Sequence, residues 1–283
     1  MKGSPYINKT VIFVHIPKTG GTTLYHIIDQ NYQRGSIYTL WKDGSIEDFK
    51  GLSDARKGEI RMLRGHQGYG LHRFLPQPSV YITVLREPIE RVISYYHFIF
   101  IRRTPHHYCH NLVVSNDMSL KEFIESEADA MVDNAQTRLL SGMMETGHEF
   151  GFGKCPREAL EAAKRNLREN FVVVGLTEEF DKTLILLKRA LGWRKLFYAR
   201  QNISFNRPRK EDLPQETLEA IIQANELDIE LYRYARELFE ERVRKEGPSF
   251  AEEVARFQRL NRQLSPFTHI YWELRKRWLS VIP

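Results

Sequence analysis

The sequence is poor in cysteine, with only Cys109 and Cys155 among 283 residues. Two cysteines this far apart do not make a zinc-binding pattern, which needs clustered ligands. They could pair in an oxidising compartment or stay free thiols in a reducing cytosol, and the sequence leaves both open. A zinc site built on cysteines is therefore excluded.

Long apolar runs and long basic runs are also absent. No stretch of 18 apolar residues could span a bilayer, and no signal peptide precedes the first predicted strand. We therefore expect a soluble protein, cytoplasmic as supplied, although a Golgi-lumenal domain trimmed of its membrane anchor would look similar. No Lys/Arg tract or usual nucleic-acid motif occurs, so nucleic acid is not expected as a partner.

The protein nevertheless carries a net positive charge. Lysine and arginine number 42 against 36 acidic residues, which gives a formal net charge of +6. This balance suits an anionic ligand but does not choose among nucleotide, acidic glycan and membrane surface. The last stretch, WELRKRWLSVIP, could rest on a membrane or a partner, but packing on the same chain is favoured. The oligomeric state is not visible in the sequence.

Short apolar runs rich in Val and Ile alternate with helical patterns. The runs are predicted to be buried parallel strands at residues 10–16, 60–63, 80–85 and 171–176. Helices are predicted at residues 22–33, 88–102, 119–126, 133–141, 156–170 and 179–191. This alternation predicts an α/β fold, a P-loop-like, doubly wound parallel sheet flanked by helices.

The pattern changes near residue 214. Helical spacing of apolar residues continues to about residue 247 with a break near Asn225, and a last helix from residue 249 is predicted to be interrupted at Pro266. Residues 41–58 are polar and are predicted to be an excursion on the surface. No linker is visible, so residues 1–283 are predicted to form a single domain, with residues 214–283 as a helical C-terminal region packed on it.

The stretch HIPKTGGTTL directly follows the first apolar run. A strand, a glycine turn and a helix start point backbone N–H groups at one place, where the helix dipole favours an anion. Lys18 adds a charge and precedes the glycines, whereas the lysine of a triphosphate loop follows them. Against a plain strand–turn–helix junction, we predict a phosphate or sulfate site that uses Pro17, Lys18, Thr19, Gly20, Gly21, Thr22 and Thr23.

A second anion site is predicted after the third apolar run. Arg86 ends that run, and Ser94 lies on the following helix, with Arg91 one turn earlier on the same face. Ligands in open α/β sheets bind beyond the carboxyl ends of strands, so an arginine fork and a hydroxyl there could hold a second phosphate. A surface ion pair is the competing interpretation of Arg86. Two such sites fit a nucleotide with phosphates at separate positions.

These motifs resemble the sulfotransferase superfamily, whose donor is 3′-phosphoadenosine 5′-phosphosulfate (PAPS). PKTGGTT at 17–23 resembles its 5′-phosphosulfate loop, and Arg86 with Ser94 resembles its 3′-phosphate motif. RGHQGYGLH at 64–72 and DNAQTRLLSG at 133–142 are similar to the carbohydrate branch that contains the heparan sulfate 2-O- and 6-O-sulfotransferases and many bacterial relatives. The resemblance covers about residues 10–240 and implies in-line transfer of a sulfuryl group to a carbohydrate hydroxyl.

The resemblance also implies roles for individual residues. His66 is expected to be the general base, with His72 as its rival, while Lys18 stabilises the leaving oxygen. His15, just before the loop, is predicted to point into the sheet as a core histidine. Polar residues within the helix predicted at 133–141 make Gln136 and Arg138 weaker candidates for contacts to acceptor or cofactor, and the competing interpretation is a polar face in water. Arg200, Asn202 and Arg207, in the basic segment 199–210, are further weak candidates.

Two competing functions remain at this point. A small-molecule kinase with a P-loop-like site would need magnesium ligands and usually the lysine after the glycines. A catalytically inactive nucleotide- or glycan-binding module would bind the product nucleotide, 3′-phosphoadenosine 5′-phosphate (PAP), and transfer nothing. The proposed chemistry needs no metal, and His106, His107 and His110 around Cys109 are predicted to be a surface loop. The acceptor, a carbohydrate or other hydroxyl-bearing molecule, is not defined further.

Overall fold

The computed structural model describes residues 5–100, 107–143, 150–199 and 208–279, with side chains of the last helix described to residue 264. The strands are β1 Thr10–Val14, β2 Ile37–Thr39, β3 Met62–Gly65, β4 Ser79–Leu85 and β5 Phe171–Leu176. The helices are α1 Gly21–Asn31, α2 Ile46–Gly51, α3 Asp54–Gly58, α4 Pro88–Phe100, α5 His110–Ser115, α6 Leu120–Glu125, α7 Ala135–Ser141, α8 Arg157–Asn170, α9 Phe180–Leu191, α10 Gln215–Ala224, α11 Glu226–Lys245 and α12 Ser249–Leu279.

The strands form one parallel sheet in the order β2-β3-β1-β4-β5, which confirms the predicted α/β fold flanked by helices. The central strands are almost wholly buried because helices cover the sheet, and this is why their sequences are continuous apolar runs. Strands β3, β1 and β4 are neighbours, so the segments that follow them meet at one edge of the sheet. Those segments begin at His66, His15 and Arg86.

Two details differ from the sequence-based prediction. The segment 41–58 is not only a surface excursion, because it holds α2 and α3 and buries Phe49 and Lys57. In α12 the helix continues through Pro266, where an interruption was predicted. A proline removes one backbone donor, and the hydrogen bonds of the turns on either side can carry a helix past it.

Helices α7 and α11 cap each other through buried side chains. Asn134, in a left-handed conformation (φ 49°), accepts bonds from the amides of Leu227 and Asp228 in the first turn of α11. The carboxylate of Asp228 in turn accepts bonds from the amides of Gln136 and Thr137, at 3.0 and 2.7 Å. Each helix thereby satisfies amides that the other leaves without intrahelical partners.

The C-terminal helices pack on the rest of the protein at several places. Helix α10 contacts α6, α11 contacts α7, α8 and β5, and α12 contacts α9. Within the described ranges, no helix is both long enough and apolar enough to cross a membrane. Cys109 and Cys155 are both free thiols.

Candidate functional site

A cavity of about 580 Å³ lies at the carboxyl edge of β3, β1 and β4. The structure brings most of the predicted site residues to its wall: Pro17, Lys18, Gly20, Gly21, Thr22, Thr23, His66, Arg86 and Ser94. These residues follow three different strands or lie on α4, and they come together because β3, β1 and β4 are neighbours in the sheet.

The turn after β1 is held by its own hydrogen bonds. Lys18 and Gly20 both have positive φ, 71° and 85°, a conformation that costs little for glycine and more for lysine. The hydroxyl of Thr19 is buried and donates to the carbonyl of Ile16 at 2.8 Å. Thr19 therefore shapes the turn from inside, and its side chain points away from the cavity it was predicted to serve.

The start of α1 supplies the backbone donors of the site. Gly20 is the N-cap residue and carries no capping side chain, while Gly21, Thr22 and Thr23, the first residues of the helix, line the cavity. Amides of a first helical turn have no intrahelical acceptor and carry the positive end of the helix dipole. This arrangement suits one tetrahedral anionic group.

Lys18 reaches across the cavity to α4. Its Nζ lies 4.2 Å from the centre of the Phe98 ring, a cation–π contact. The ammonium is therefore in contact with an aromatic side chain that also lines the cavity.

Arg86 is fixed at both its backbone and its side chain. Its amide donates to Gln136 Oε1 and its carbonyl accepts from Gln136 Nε2, each at 3.0 Å. One side-chain nitrogen donates to the carbonyl of Lys18 at 3.2 Å, and the other forms an ion pair with Glu90 at 3.3 Å. Arg86 thus makes the predicted ion pair and also lines the cavity, which places a guanidinium between the first loop and α4.

Two residues predicted to contact the acceptor or cofactor lie inside the protein instead. Gln136 is fully buried and its amide serves Arg86, as described above. Arg138 is buried beside Asp133, and its guanidinium also donates to the carbonyls of Phe150 and Gly151, at 2.7 and 2.9 Å. Both are positioning residues, because their donors are taken by the chain itself. The other weak candidates lie outside the described residues: Arg200, Asn202 and Arg207.

Helix α4 presents Ser94 and Arg91 differently. Ser94 lines the cavity, whereas Arg91 is wholly buried and donates to the carbonyl of Met131 at 2.9 Å. The two residues lie on nearly the same face of α4, but the long side chain of Arg91 extends into the protein interior while Ser94 faces the cavity. Arg91 therefore supports the cavity wall from behind.

His66 is oriented as a proton acceptor. Its Nδ1 lies 3.1 Å from the carbonyl oxygen of His15, and a carbonyl can only accept, so Nδ1 carries the proton. The neutral ring then has its lone pair on Nε2. Although the side chain of His66 is exposed at the cavity, partial desolvation by the surrounding protein lowers its pKa below the ordinary value of 6.5, against the smaller opposing effect of that hydrogen bond. The ring is therefore neutral at physiological pH.

The rival base lies elsewhere. His72 Nδ1 is 2.8 Å from the hydroxyl of Tyr81, near the beginning of β4, whereas the cavity lies at the end of that strand. Because His72 is not part of the cavity wall, its geometry excludes it from chemistry there.

His15 is buried and bonded to the hydroxyl of Tyr25, as expected of a core histidine, and it also lies in the cavity wall. Its ring packs between those of Phe13 and His66, with centroids 5.4 and 4.3 Å away. Gly21 is the one indirect sign in the sequence that His15 lies here, because the His15 ring fills the space that a side chain at position 21 would occupy.

A second polar group borders the cavity near α5. His107, Cys109 and Asp129 place their polar atoms within 4.8 Å of one another, so this described part of the predicted surface loop joins a cluster. His106 lies outside the described residues. Tyr95 connects them: its hydroxyl donates to Asp129 at 2.7 Å and lies 3.0 Å from His107 Nε2. Burial and the nearby carboxylate raise the pKa of Cys109 to about 11, so this thiol is protonated at neutral pH.

Comparison with known proteins shows the family to which the chain is similar. The family model for galactose-3-O-sulfotransferase matches residues 59–268. Heparan-sulfate 6-O-sulfotransferase 1 of Homo sapiens is 27% identical over 290 residues, covering 86% of this chain and 67% of that protein. Heparan sulfate 2-O-sulfotransferase 1 of Gallus gallus is 27% identical over 256 residues, covering 81% and 70%.

A solved structure also matches, the mouse sulfotransferase SULT7A1 complexed with PAP. It is 14% identical, with a TM-score of 0.37, and the match covers 77% of this chain. The matched part is 65% of the mouse chain, less than two thirds of its length.

Proposed function

Because this chain belongs to the galactose-3-O-sulfotransferase family, in the carbohydrate branch of the sulfotransferase superfamily, we propose that it transfers the sulfuryl group of PAPS to a hydroxyl of a carbohydrate acceptor. The resemblance predicted from the sequence is confirmed at the level of the family. The donor, the acceptor and the residue roles are our proposal.

One observation carries the proposal: a helix start with Lys18, an arginine–serine pair and a base-competent histidine all line one cavity. The amides at the start of α1 suit the 5′-phosphosulfate, and Arg86 with Ser94 suits a second phosphate a short distance away. A module that only binds phosphates would have no use for a neutral histidine with its Nε2 lone pair available. Because the two anion sites follow separate strands, the residues present fit PAPS, with its 5′ and 3′ groups, better than a single triphosphate.

The transfer needs a proton acceptor and a stabilised leaving oxygen. As the acceptor oxygen bonds to sulfur, the bond from sulfur to the 5′-phosphate oxygen breaks, and PAP departs. His66 Nε2 takes the proton of the acceptor hydroxyl. Lys18 neutralises the charge that grows on the leaving oxygen, while the amides of α1 hold the nonbridging oxygens. The step uses no metal ion.

The test is a transfer assay with ³⁵S-labelled PAPS. The acceptor panel contains heparan-type oligosaccharides and β-galactosides, and the same protein is assayed with ATP and Mg²⁺. Labelled product from one acceptor class, with no phosphate transfer, supports the proposal. Transfer of phosphate from ATP that requires Mg²⁺ would point to a kinase, and PAP binding without any sulfate transfer would point to a binding module.

Arg86→Gln is expected to weaken nucleotides with a 3′-phosphate selectively. A charge-assisted hydrogen bond contributes about 1.5–3 kcal/mol, so PAP affinity should fall about 10- to 150-fold. Adenosine 5′-phosphosulfate, which lacks the 3′-phosphate, should bind the variant nearly as well as the wild type. Calorimetric titration of both nucleotides measures the difference, and an equal loss for both would contradict this role. Arg73→Gln, at the other end of the sheet, is the matched control.

The pH dependence follows from the lowered pKa of His66. The base must be unprotonated, so kcat/KM should fall as pH drops through the pKa of His66, with a midpoint below the ordinary 6.5. Well above that midpoint the profile should be flat until another group titrates. A pH series of initial rates at low acceptor concentration measures this midpoint, and an acid limb centred above 6.5 would contradict a base whose pKa the cavity lowers.

A further inference from the structure

His15 has a geometry that the proposed transfer has not yet used. Its Nδ1 lies 3.1 Å from the hydroxyl of Tyr25, and burial raises the pKa of that tyrosine to about 12. Tyr25 therefore keeps its proton and can donate it to Nδ1, which leaves the hydrogen of a neutral His15 on Nε2. This is the opposite tautomer to that of His66.

Tyr25 is itself held in place by buried charges. The guanidinium of Arg64 lies 4.4 Å from the centre of the Tyr25 ring and donates to the Tyr25 carbonyl at 3.1 Å. Asp29 pairs with the same guanidinium at 2.8 Å. A fixed tyrosine gives His15 a fixed hydrogen-bond partner, and where that hydroxyl donates to Nδ1 the hydrogen of the neutral ring lies on Nε2.

The Nε2 edge of His15 lies at the start of α1. A Cβ placed on Gly21 would fall 1.7 Å from His15 Nε2, so the ring edge occupies the position of the missing side chain. Any residue other than glycine at position 21 would displace the ring. His15 Nε2 is thus beside the amides that suit the sulfuryl-bearing end of the donor.

His15 also lies between the two ends of the reaction. Its ring centroid is 4.3 Å from that of His66 on one side, and its Nε2 edge contacts the Lys18 loop at Gly21 on the other. In an in-line transfer, the sulfuryl group passes between the base and the leaving oxygen. The group that lies between those two ends therefore lies next to the transferred sulfur.

We propose that His15 is a further catalytic residue, whose Nε2–H donates a hydrogen bond to a nonbridging oxygen of the transferred sulfuryl group. The inference rests on the proposed function. Burial, together with the charges of His66, Lys18 and Arg64, lowers the pKa of His15 well below 6.5, so the ring stays neutral. A neutral imidazole is a donor that neither repels Lys18 nor competes with His66 for the acceptor proton.

The experiment compares three replacements of His15. His15→Phe keeps the shape of the ring and removes the donor, His15→Gln can place an amide N–H near the Nε2 position, and His15→Asn is too short to do so. All three leave the backbone carbonyl that orients His66. Turnover of labelled PAPS is measured with the acceptor found for the wild type, and PAP affinity and thermal melting are measured beside it.

The expected kcat of His15→Phe and His15→Asn is about 10²-fold below wild type, the usual effect of removing one donor to a transition-state oxygen. His15→Gln should recover about tenfold of that loss, since one hydrogen bond contributes about 1.4 kcal/mol. PAP lacks the sulfuryl group, so its affinity should change less than about fivefold in all three variants. Tyr25→Phe, which removes only the partner of Nδ1, should lower kcat less than His15→Phe.

Other outcomes separate the two proposals. An active wild type with kcat of His15→Phe near the wild-type value would overturn the role of His15 alone. Equal losses in the Gln and Asn variants, or a parallel loss of PAP affinity, would also overturn it, since a packing role predicts both. A wild type that binds PAP and transfers no sulfate overturns the proposed function, and the role of His15 with it.

Discussion

His66→Asn is expected to lower kcat about 10²- to 10⁴-fold, the usual contribution of a general base. Asparagine can keep an N–H near the Nδ1 position, so the hydrogen bond to the His15 carbonyl and the local backbone should survive. The Nε2 lone pair is lost, and with it the acceptor for the hydroxyl proton. PAP affinity should stay within about threefold of wild type, because PAP makes no use of that lone pair.

Steady-state rates with labelled PAPS and calorimetric binding of PAP measure the two quantities. His72→Asn is the matched control, since His72 is a histidine of the same segment bound to Tyr81 and away from the cavity. Its kcat should be close to wild type. A fully active His66→Asn would remove His66 from the mechanism.

Lys18→Met should lower kcat about 10²- to 10³-fold, because a full charge is removed from beside the leaving oxygen. Methionine has a stem of similar length that can still pack on Phe98, so the cation–π contact is lost while the apolar contact is kept. PAP should bind more weakly as well, but by a smaller factor than the loss of kcat, since the charge on the leaving oxygen is greatest as the bond breaks.

The control for this variant is Lys195→Met, at an exposed lysine distant from the first loop in sequence. It loses the same charge from the protein and should keep kcat and PAP affinity. If Lys18→Met and Lys195→Met had the same kcat, a role at the leaving oxygen would be ruled out.

The sheet could be predicted from the sequence because its strands are buried on both faces. The run from residue 171 to residue 176 was predicted with the bounds of β5, and the residues of β1 are all buried. Strand β2 was missed, since Ile37–Thr39 is three residues long and too short for a periodic signal. The start of the helix predicted at residues 119–126 could be located because Ser119 and Glu122, three residues apart, each accept a hydrogen bond from the backbone amide of the other.

Site residues could be predicted where they belong to a local motif. The sequence does not show whether an isolated polar side chain binds a ligand or another part of the protein. Gln136 and Arg138 stood out as polar residues within a helix, which indicates partners but not which ones. In the structure the partner of Gln136 is Arg86, 50 residues away, and the partner of Arg138 is Asp133, five residues away. No sequence pattern marks either partner. His15 is a buried, hydrogen-bonded histidine as expected, but its place in the cavity wall could not be predicted, because it follows the last residue of β1, where strand alternation no longer fixes direction.

The mutual capping of α7 and α11 has a consequence for how the protein is made. The amide of Gln136 and the carboxylate of Asp228 are 92 residues apart, and Gln136 is the residue that holds the backbone of Arg86. The ribosome synthesises the N-terminal part first. The amides in the first turn of α7 therefore gain their acceptor, Asp228, only after α11 has left the exit tunnel. The hydrogen bonds that support Arg86 in the cavity wall are therefore complete only when most of the chain has been synthesised.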